Sequence, residues 1–429
     1  MKLKYFFVIL LTGFGFFNAH ALHKKISVLF IGNSYTSVND LPGIFDSIAT
    51  ANGDTVLADQ YAPGGYTLQM HAADPVTLAK IHQRAWDYVV LQEQSQLPSL
   101  DPANVNTTTV PYALLLDSII HANNSCTKTV FYLTWGRKYG DQSNCPVYPA
   151  VCTYSGMQQR LKESYKLMAD SCHGIIAPVG EAFRRSMSVS STIDLYQSDS
   201  SHPSIAGTYL AACVFYEVML HQNPGSNPYM AGLPSATGYF LQSCARGIVT
   251  DSLNVWNLGI YEPRADFRWS EIASGIVQFT GYSNSSFSHY WNFGDTTFST
   301  LPNPMHPYMH SRYWPVYHIV YDSCAVDSFH LTTNVIGAAG IAEISSIDLL
   351  VFPNPTSDFI RLVFPSTWKN ESVYVVIENI AGCVLSEAKI ENQDSPVLSI
   401  KDFNRGIYFI RVTNGRGSSF FSKKIIVMN

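Results

Sequence analysis

The sequence has few charged residues and no concentrated block of either sign. Asp, Glu, Lys and Arg make up 14% of the 429 residues, against the ~25% typical of soluble domains. The formal net charge is −5, and no run of Lys and Arg provides the basic patch that binds a phosphate backbone. The composition therefore argues against nucleic-acid binding. Aromatic residues are plentiful at 13%, which favours β-rich extracellular domains.

Long apolar runs are also scarce, and the first one has the order of a secretory signal peptide. Lys2 and Lys4 precede an apolar run from Tyr5 to Phe17, and Ala19-His20-Ala21 follows it. This run is shorter than the ~20 residues that cross a bilayer, so we expect cleavage after Ala21 rather than a membrane anchor. No later segment is long and apolar enough to span a membrane. The mature chain is therefore predicted to be exported, without a transmembrane segment.

No two cysteines have the Cys-x-x-Cys spacing of a zinc or redox motif, although the chain contains eight cysteines. Export exposes the chain to an oxidising environment, so we expect paired cysteines rather than metal sites. Cys145 and Cys152 flank a short loop with Pro and Tyr. They are the first pair that we predict.

The last part of the chain, residues 348–429, contains short alternating strands that predict an all-β sandwich. The clearest strands are Val373–Ile380, Gly406–Val412 and Ser422–Val427. The turn signals between them include Ala381-Gly382 and Asn414-Gly415.

Three stretches of this segment resemble the C-terminal sorting domain of type IX secretion cargo. They are Phe352-Pro353-Asn354-Pro355, Gly406–Val412 and Lys423–Val427. The resemblance implies that the type IX secretion machinery is a partner. It also implies that the protein passes through the periplasm and is secreted or held at the outer cell surface. An ordinary Ig-like module is the alternative interpretation.

Residues 262–336 form a second stretch of alternating strands, centred on Trp291-Asn292-Phe293-Gly294-Asp295. This pentapeptide resembles the signature of PKD-type Ig-like domains, which implies that the Trp packs in the core and the Gly-Asp makes a turn. Such modules act as spacers or make weak contacts with glycans and proteins.

His306 and His310 lie in the long segment from Leu301 to Trp314. Since no carboxylate or Cys stands beside them at ligand spacing, we predict a solvent-facing aromatic loop rather than a metal site. Residues 337–347 are the predicted linker.

Residues 22–258 alternate strands and helices, which predicts an α/β domain with a doubly wound parallel sheet. The continuous apolar runs Ile26–Ile31, Tyr88–Leu91 and Thr129–Leu133 are typical of buried strands. Helices are predicted over Asp40–Ala51, Pro111–Ile120, Gly156–Ala169 and Ser204–Leu220. In such sheets the ligand crevice lies at the carboxyl ends of the strands.

Two polar segments stand where that crevice is expected. Gly32–Thr36 directly follows the first strand and places Ser34 at its carboxyl edge. Asp199-Ser200-Ser201-His202-Pro203 precedes the last long helix. The Asp could accept the imidazole N–H and leave the other ring nitrogen free to take a proton from a serine. The alternative is that Ser34 binds backbone groups of its turn, that Asp199 and Ser201 cap the helix, and that Pro203 starts it.

Taken together, a Ser after the first strand and an Asp-x-x-His before the last long helix resemble the catalytic pattern of the SGNH/GDSL hydrolases. The resemblance implies a flavodoxin-like three-layer sandwich and the catalytic residues Ser34, Asp199 and His202. It implies no metal and no cofactor.

The same resemblance implies three donors for an oxyanion hole. These are the Ser34 N–H, the Gly65 N–H with Gly64 as the fallback, and the side-chain amide of Gln94. Gln94 departs from the family, which usually has Asn there. The second departure is Asn33, which stands where a structural carboxylate is typical. We assign Asn33 and Glu93 a supporting role around the site.

These features predict a secreted or surface-held serine ester hydrolase that removes acetyl or other short acyl groups from a polysaccharide. Trp135, Tyr139 and Tyr66 lie in loops near the strand ends, and we predict that they form a sugar-stacking platform. The main alternative is a catalytically impaired glycan-binding or adhesion protein, in which Gln94 marks the loss of activity. A lipase for long acyl chains is less favoured, because the loops near the site are polar.

Overall fold

The computed structural model describes residues 23–335, 349–364, 372–379, 384–391, 396–414 and 420–428. The predicted signal peptide, linker and Ala381-Gly382 turn lie outside these residues, as does Gly415 of the second predicted turn. The chain forms two compact units, Met1–Gly337 and Ala338–Asn429.

A five-stranded parallel sheet lies at the centre of the first unit, with the strand order β2-β1-β3-β4-β5. The strands are β1 (Lys25–Ile31), β2 (Thr55–Tyr61), β3 (Tyr88–Leu91), β4 (Lys128–Tyr132) and β5 (Ile175–Ala177). This order is that of a doubly wound, flavodoxin-like sheet, whose switch point lies between β1 and β3. The predicted fold class is therefore confirmed.

Helices lie between these strands and after the last of them. They are α1 (Ser34–Ser37), α2 (Leu41–Ala51), α3 (Leu68–Ala73), α4 (Pro75–His82), α5 (Pro102–Thr108), α6 (Val110–Asn123), α7 (Tyr154–Ser171), α8 (Val179–Val189), α9 (Ile205–Leu220) and α10 (Ser235–Thr250). Helix α9 is buried along almost its whole length, and its Phe215 packs edge-on against Phe30 of β1 and Tyr132 of β4. Among the helices described, none has the length and apolar character needed to cross a membrane.

The rest of the first unit consists of two antiparallel sheets, with the orders β10-β7-β6 and β12-β11-β8-β9. The strands are β6 (Phe267–Ala273), β7 (Ile276–Gly281), β8 (Ser288–Asn292), β9 (Phe298–Ser299), β10 (Met305–Pro307), β11 (Arg312–Tyr321) and β12 (Val326–Val335). Trp291 is fully buried between the sheets and stacks on His318 at 3.6 Å. The predicted core position of Trp291 is confirmed.

His306 differs from the sequence prediction of a solvent-facing loop. It lies in β10, is only 7% exposed, and stacks on Phe293 with ring centroids 4.0 Å apart. Its Nε2 atom is 2.7 Å from Oδ2 of Asp295. The turn after Phe293 brings this carboxylate to the ring from 11 positions away, which the local spacing does not reveal.

Buried charges join the α/β part of the first unit to its β part. Asp327 of β12 accepts hydrogen bonds from Lys24 Nζ at 2.6 Å and from the Ala265 N–H at 2.8 Å. His221, which ends α9 in the left-handed conformation, places its Nδ1 atom 2.9 Å from the same carboxylate. A disulfide between Cys126 and Cys324 links the same two parts over 198 residues.

The remaining cysteines show where the expectation of pairing succeeds and where it fails. The predicted Cys145–Cys152 disulfide is present. Cys172, Cys213 and Cys244 are free and buried, so the expectation of pairing is wrong for them. They follow or belong to α7, α9 and α10, where a thiol packs as a small apolar side chain. Cys383 is outside the described residues.

The second unit also contains two antiparallel sheets, with the orders β13-β14-β17 and β16-β15-β18-β19. The strands are β13 (Leu350–Phe352), β14 (Phe359–Val363), β15 (Val373–Asn379), β16 (Val384–Ile390), β17 (Val397–Ser399), β18 (Gly406–Asn414) and β19 (Phe420–Val427). Ile410 and Val412 are buried in its core, while Arg411 between them is exposed. This alternation is what a half-buried strand requires, and the predicted all-β fold is confirmed.

Candidate active site

Ser34 stands at the junction between the first strand and the first helix. Strand β1 ends at Ile31 and α1 begins at Ser34, so only Gly32 and Asn33 separate the two elements. A Cβ on Gly32 would lie 2.5 Å from Thr36 Oγ1 and 2.6 Å from Gln92 Oε1, which explains the glycine. Asn33 caps the helix by accepting a hydrogen bond from the Tyr35 N–H at 3.2 Å.

The structure brings the three predicted catalytic residues together. His202 Nε2 lies 2.9 Å from Ser34 Oγ, although 168 positions separate the two residues. His202 Nδ1 is hydrogen-bonded to Asp199, whose other oxygen accepts the N–H groups of Ser201 and His202 at 3.0 Å. Burial raises the pKa of the Asp199 carboxyl, but these hydrogen bonds outweigh it and hold the pKa below its usual value.

The helix-capping interpretation of this segment is wrong. The N-cap of α9 is Ser204, whose hydroxyl accepts a hydrogen bond from the Gly207 N–H at 3.2 Å. Asp199 and Ser201 therefore take no part in starting the helix. The carboxylate of Asp199 is used instead within the loop that holds the imidazole.

Tyr35 and Trp135 hold the loop that carries His202. The Tyr35 hydroxyl is 2.6 Å from Ser201 Oγ, and its ring stacks on Trp135 at 4.7 Å. Trp135 Nε1 donates to the Ser201 carbonyl at 3.0 Å, and its other side stacks on Phe183. Trp135 is fully buried, so the predicted sugar platform is wrong for this residue. The other two predicted rings are more accessible: Tyr139 is 66% exposed, and Tyr66 is half-buried.

Asn33 connects three parts of the site, with a partner that the sequence analysis missed. Its N–H donates to Gln92 Oε1, and Gln92 Nε2 donates back to Asn33 Oδ1, both at 2.9 Å. Its Nδ2 donates to the carbonyl of Tyr66 at 2.9 Å. Gln92 is fully buried directly after β3. A polar residue immediately after a buried strand is the signal that identifies it.

The two glycines of the predicted oxyanion loop lie between β2 and α3. Gly65 has φ +74°, a conformation that favours glycine, and no atom lies within 4 Å of the position a Cβ would take. Gly64 has equally open surroundings. Both are exposed, so their backbone is accessible to a ligand.

The hydrogen bonds of Gln94 stay within its own loop. Its Oε1 accepts the N–H groups of Gln96 at 2.7 Å and Leu97 at 3.2 Å. Its Nε2 donates to Gln96 Oε1 over 3.2 Å, a longer bond. In the described part of the chain no hydrogen bond joins the Gln94 amide to Ser34 or His202. The bonds to Oε1 hold the amide, while Nε2 has only the weaker contact.

Glu93 links the loop of Gln94 to the segment that follows the glycines. Its Oε1 accepts the N–H groups of Leu68 at 3.0 Å and Gln94 at 2.6 Å. Its Oε2 is buried and makes no hydrogen bond to any residue that the structure describes. Burial raises the pKa of Glu93 to about 7, against the lowering by the two N–H groups.

The raised pKa of Glu93 predicts a loss of stability as the pH rises. The folded state binds the proton more tightly than the unfolded state, so the free energy of unfolding falls between the ordinary pKa of 4.5 and about 7. The expected contribution is about 3 kcal/mol at most. Urea unfolding at pH 4.5, 6 and 7.5 should show that the free energy of unfolding falls less steeply with pH in Glu93→Gln than in wild type. Glu163→Gln, at an exposed position of α7, is the matched control and should keep the wild-type pH dependence. An unchanged pH dependence in Glu93→Gln would contradict the raised pKa of Glu93.

Comparison with known proteins identifies the second unit. Residues 350–428 match the model of the secretion system C-terminal sorting domain. The C-terminal β unit is a sorting domain. The protein is therefore directed through type IX secretion to the outer surface or the medium.

Parts of the first unit are similar to solved structures of SGNH-type hydrolases and of a PKD domain. Among solved structures, a DUF4886 family protein from Bacteroides uniformis is 21% identical, with 53% of this chain and 96% of that protein covered and a TM-score of 0.47. A proposed SGNH hydrolase from Slackia heliotrinireducens is 28% identical, with coverages of 46% and 99% and a TM-score of 0.38. The PKD1 domain of Epp from Vibrio anguillarum is 24% identical, with coverages of 18% and 94% and a TM-score of 0.16. No curated protein matches the chain significantly.

Proposed function

We propose that the SGNH-like domain is a serine carboxylic ester hydrolase that removes acetyl or other short acyl groups from a carbohydrate. The observation that carries the proposal is the row of contacts from Asp199 through His202 to Ser34, with 2.9 Å between His202 Nε2 and Ser34 Oγ. A serine hydroxyl is a weak nucleophile unless an adjacent base takes its proton. This arrangement supplies that base together with a carboxylate that orients it.

The proposed reaction is acyl transfer in two steps. Ser34 Oγ attacks the ester carbonyl while His202 Nε2 takes its proton, and the proton then passes to the leaving alcohol. A water molecule, activated by the same imidazole, hydrolyses the acyl-serine. Asp199 accepts a hydrogen bond from the Nδ1–H of His202, which selects the tautomer and stabilises the imidazolium.

The proposed oxyanion hole uses the N–H groups of Ser34 and Gly65 and the amide of Gln94. Ser34 is the first residue of α1, where an N–H has no partner inside the helix. Gly65 is exposed on its loop. Gln94 Nε2 must leave Gln96 to reach the substrate, while the N–H groups of Gln96 and Leu97 hold its Oε1. Asn33 and Glu93 support these donors through Gln92, Tyr66, Leu68 and Gln94.

Gln94→Glu tests the donor role with little change in shape. The substituted side chain keeps an oxygen for the two N–H groups but replaces the donor with a second oxygen. We expect kcat to fall by about 10²–10³-fold, the usual effect of losing one oxyanion donor. Gln69→Glu on α3 is a control outside the Gln94 loop. If kcat of Gln94→Glu stays within about threefold of wild type, which is far less than the expected loss, Gln94 is not an oxyanion donor.

The carbohydrate part of the proposal is supported by the exposed Tyr139 ring on the segment between β4 and α7. The direct test is hydrolysis of a chromogenic acetate, together with acetate release from acetylated xylan, by the full chain. We expect turnover of both. Glycan binding without hydrolysis of any ester would instead favour the adhesion function.

A further inference from the structure

The segment after β4 lies directly beside the loop that carries His202. Trp135 Nε1 donates to the Ser201 carbonyl, and the Lys138 N–H donates to the Ser200 carbonyl, both at 3.0 Å. Arg137 lies between these two contacts. The backbone therefore holds Arg137 at the edge of the candidate active site.

The guanidinium of Arg137 has hydrogen-bond donors that the chain does not use. Its Nε is buried and has no hydrogen-bond partner in the described residues. The nearest carboxylate is that of Asp141, at 3.9 Å from Nη1, which is beyond hydrogen-bond distance. The side chain is 27% exposed, so a ligand can reach its outer part. Leaving a buried charged donor unpaired is costly.

Asp141 does not pair closely with Arg137 because other donors occupy it. Gln96 Nε2 donates to both of its oxygens, at 2.9 and 3.0 Å. Asn144 Nδ2 and the N–H groups of Ser143 and Asn144 supply three more hydrogen bonds. Burial raises the pKa of Asp141, but these bonds and the charge of Arg137 outweigh it and lower the pKa. Both oxygens of the Asp141 carboxylate therefore accept hydrogen bonds from other residues, whereas the Nε of Arg137 has no acceptor among the described residues.

Arg137 lies close enough to the site for its charge to act on Tyr35, the residue after Ser34. Burial dominates and raises the pKa of Tyr35, while the charge of Arg137 lowers it. Two neighbouring charged residues already have partners. Asp199 is bound to His202, and Lys138 is paired with Asp194 at 2.7 Å.

We propose that Arg137 binds a carboxylate of the substrate, which makes the enzyme selective for acidic esters. This inference rests on the proposed ester hydrolysis. A planar guanidinium binds a carboxylate with two parallel hydrogen bonds. The guanidinium of Arg137 has unpaired donors at the edge of the site and can bind a carboxylate in this way. The carboxylate belongs either to a uronic acid in the alcohol or to a dicarboxylic acyl group.

The test compares esters that differ only in this charge. One pair is an acetylated galacturonate oligosaccharide and its methyl-esterified form, and the other is an aryl hemisuccinate and its methyl ester. For at least one pair we expect wild type to prefer the acid. In Arg137→Gln the ratio of the two kcat/KM values should fall by roughly 10- to 100-fold, with a smaller fall in Arg137→Lys. Lys138→Gln, which removes a neighbouring cation that is already paired, should keep the ratio.

The outcomes separate this inference from the proposed function. Ser34-dependent hydrolysis with ratios that Arg137→Gln leaves unchanged for both pairs would overturn the inference and leave the hydrolase intact. If the protein hydrolyses no ester, calorimetry with galacturonate oligosaccharide and with succinate decides. Binding that is lost in Arg137→Gln supports the carboxylate site, and binding of neither overturns it.

Discussion

Ser34→Ala is expected to lower kcat for a chromogenic acetate by about 10⁴-fold or more. The variant keeps the fold but removes the hydroxyl oxygen that lies 2.9 Å from His202 Nε2. The remaining site can still bind the ester and stabilise an oxyanion, so a small residual rate above that of water is expected. Initial rates over a range of ester concentrations measure the effect.

Ser37→Ala is the matched control for this variant. Ser37 ends the same short helix and is exposed, so we expect its rate to stay close to that of wild type. A phosphonate that labels serine hydrolases should modify wild type on the Ser34 peptide and leave Ser34→Ala unlabelled. Equal rates for wild type and Ser34→Ala would refute the triad.

Asp327→Ala is expected to lower the free energy of unfolding by about 3–5 kcal/mol. Asp327 is 6% exposed and is bonded to Lys24, His221 and the N–H of Ala265. Removing it leaves the buried imidazole of His221 and the ammonium of Lys24 without this partner. Urea unfolding of the full chain, followed by tryptophan fluorescence, measures the change.

The same contacts predict a pH dependence. Burial raises the pKa of Asp327, but His221 and Lys24 outweigh it and hold the pKa well below its usual range. Its contribution to stability is therefore present above the ordinary pKa of 3.8 and is lost as the pH falls below it. Asp251→Asn, at an exposed ion pair with Arg185, is the control and should cost about 0–1 kcal/mol. A similarly small change in Asp327→Ala would contradict the prediction.

Most of the α/β fold could be predicted because its strands are continuous apolar runs. Tyr88–Leu91 is a strand with the predicted bounds, and the predicted Ile26–Ile31 lies within β1. The predicted helix Ser204–Leu220 begins one residue later than expected, after the cap at Ser204. These features depend on local periodicity and on capping chemistry, which neighbouring residues determine.

The candidate site could be predicted only in part. Ser34 and His202 could be predicted because Ser34 follows the first strand, where the ligand crevice of such a sheet lies, and because His202 belongs to an Asp-x-x-His pattern that resembles the SGNH hydrolases. The burial of Trp135 and His306 could not be predicted, because the exposure of a ring depends on the residues that the fold places around it. Tyr35 and Phe183 stack on the two faces of Trp135. Phe293 and Asp295 contact His306.

The sequence alone therefore determined the secretion address, and it predicted the order of the domains and the residues proposed for ester hydrolysis. Tertiary structure alone decided which polar groups are occupied. Gln92 is hydrogen-bonded to Asn33, and Asp141 to Gln96 and Asn144. Asp327 is bonded to His221 between the α/β part and the β part of the first unit, a contact that no local sequence pattern predicts. The physical reason is that a buried hydrogen bond or ion pair depends on distance in space, and the fold brings together side chains that lie far apart in the chain.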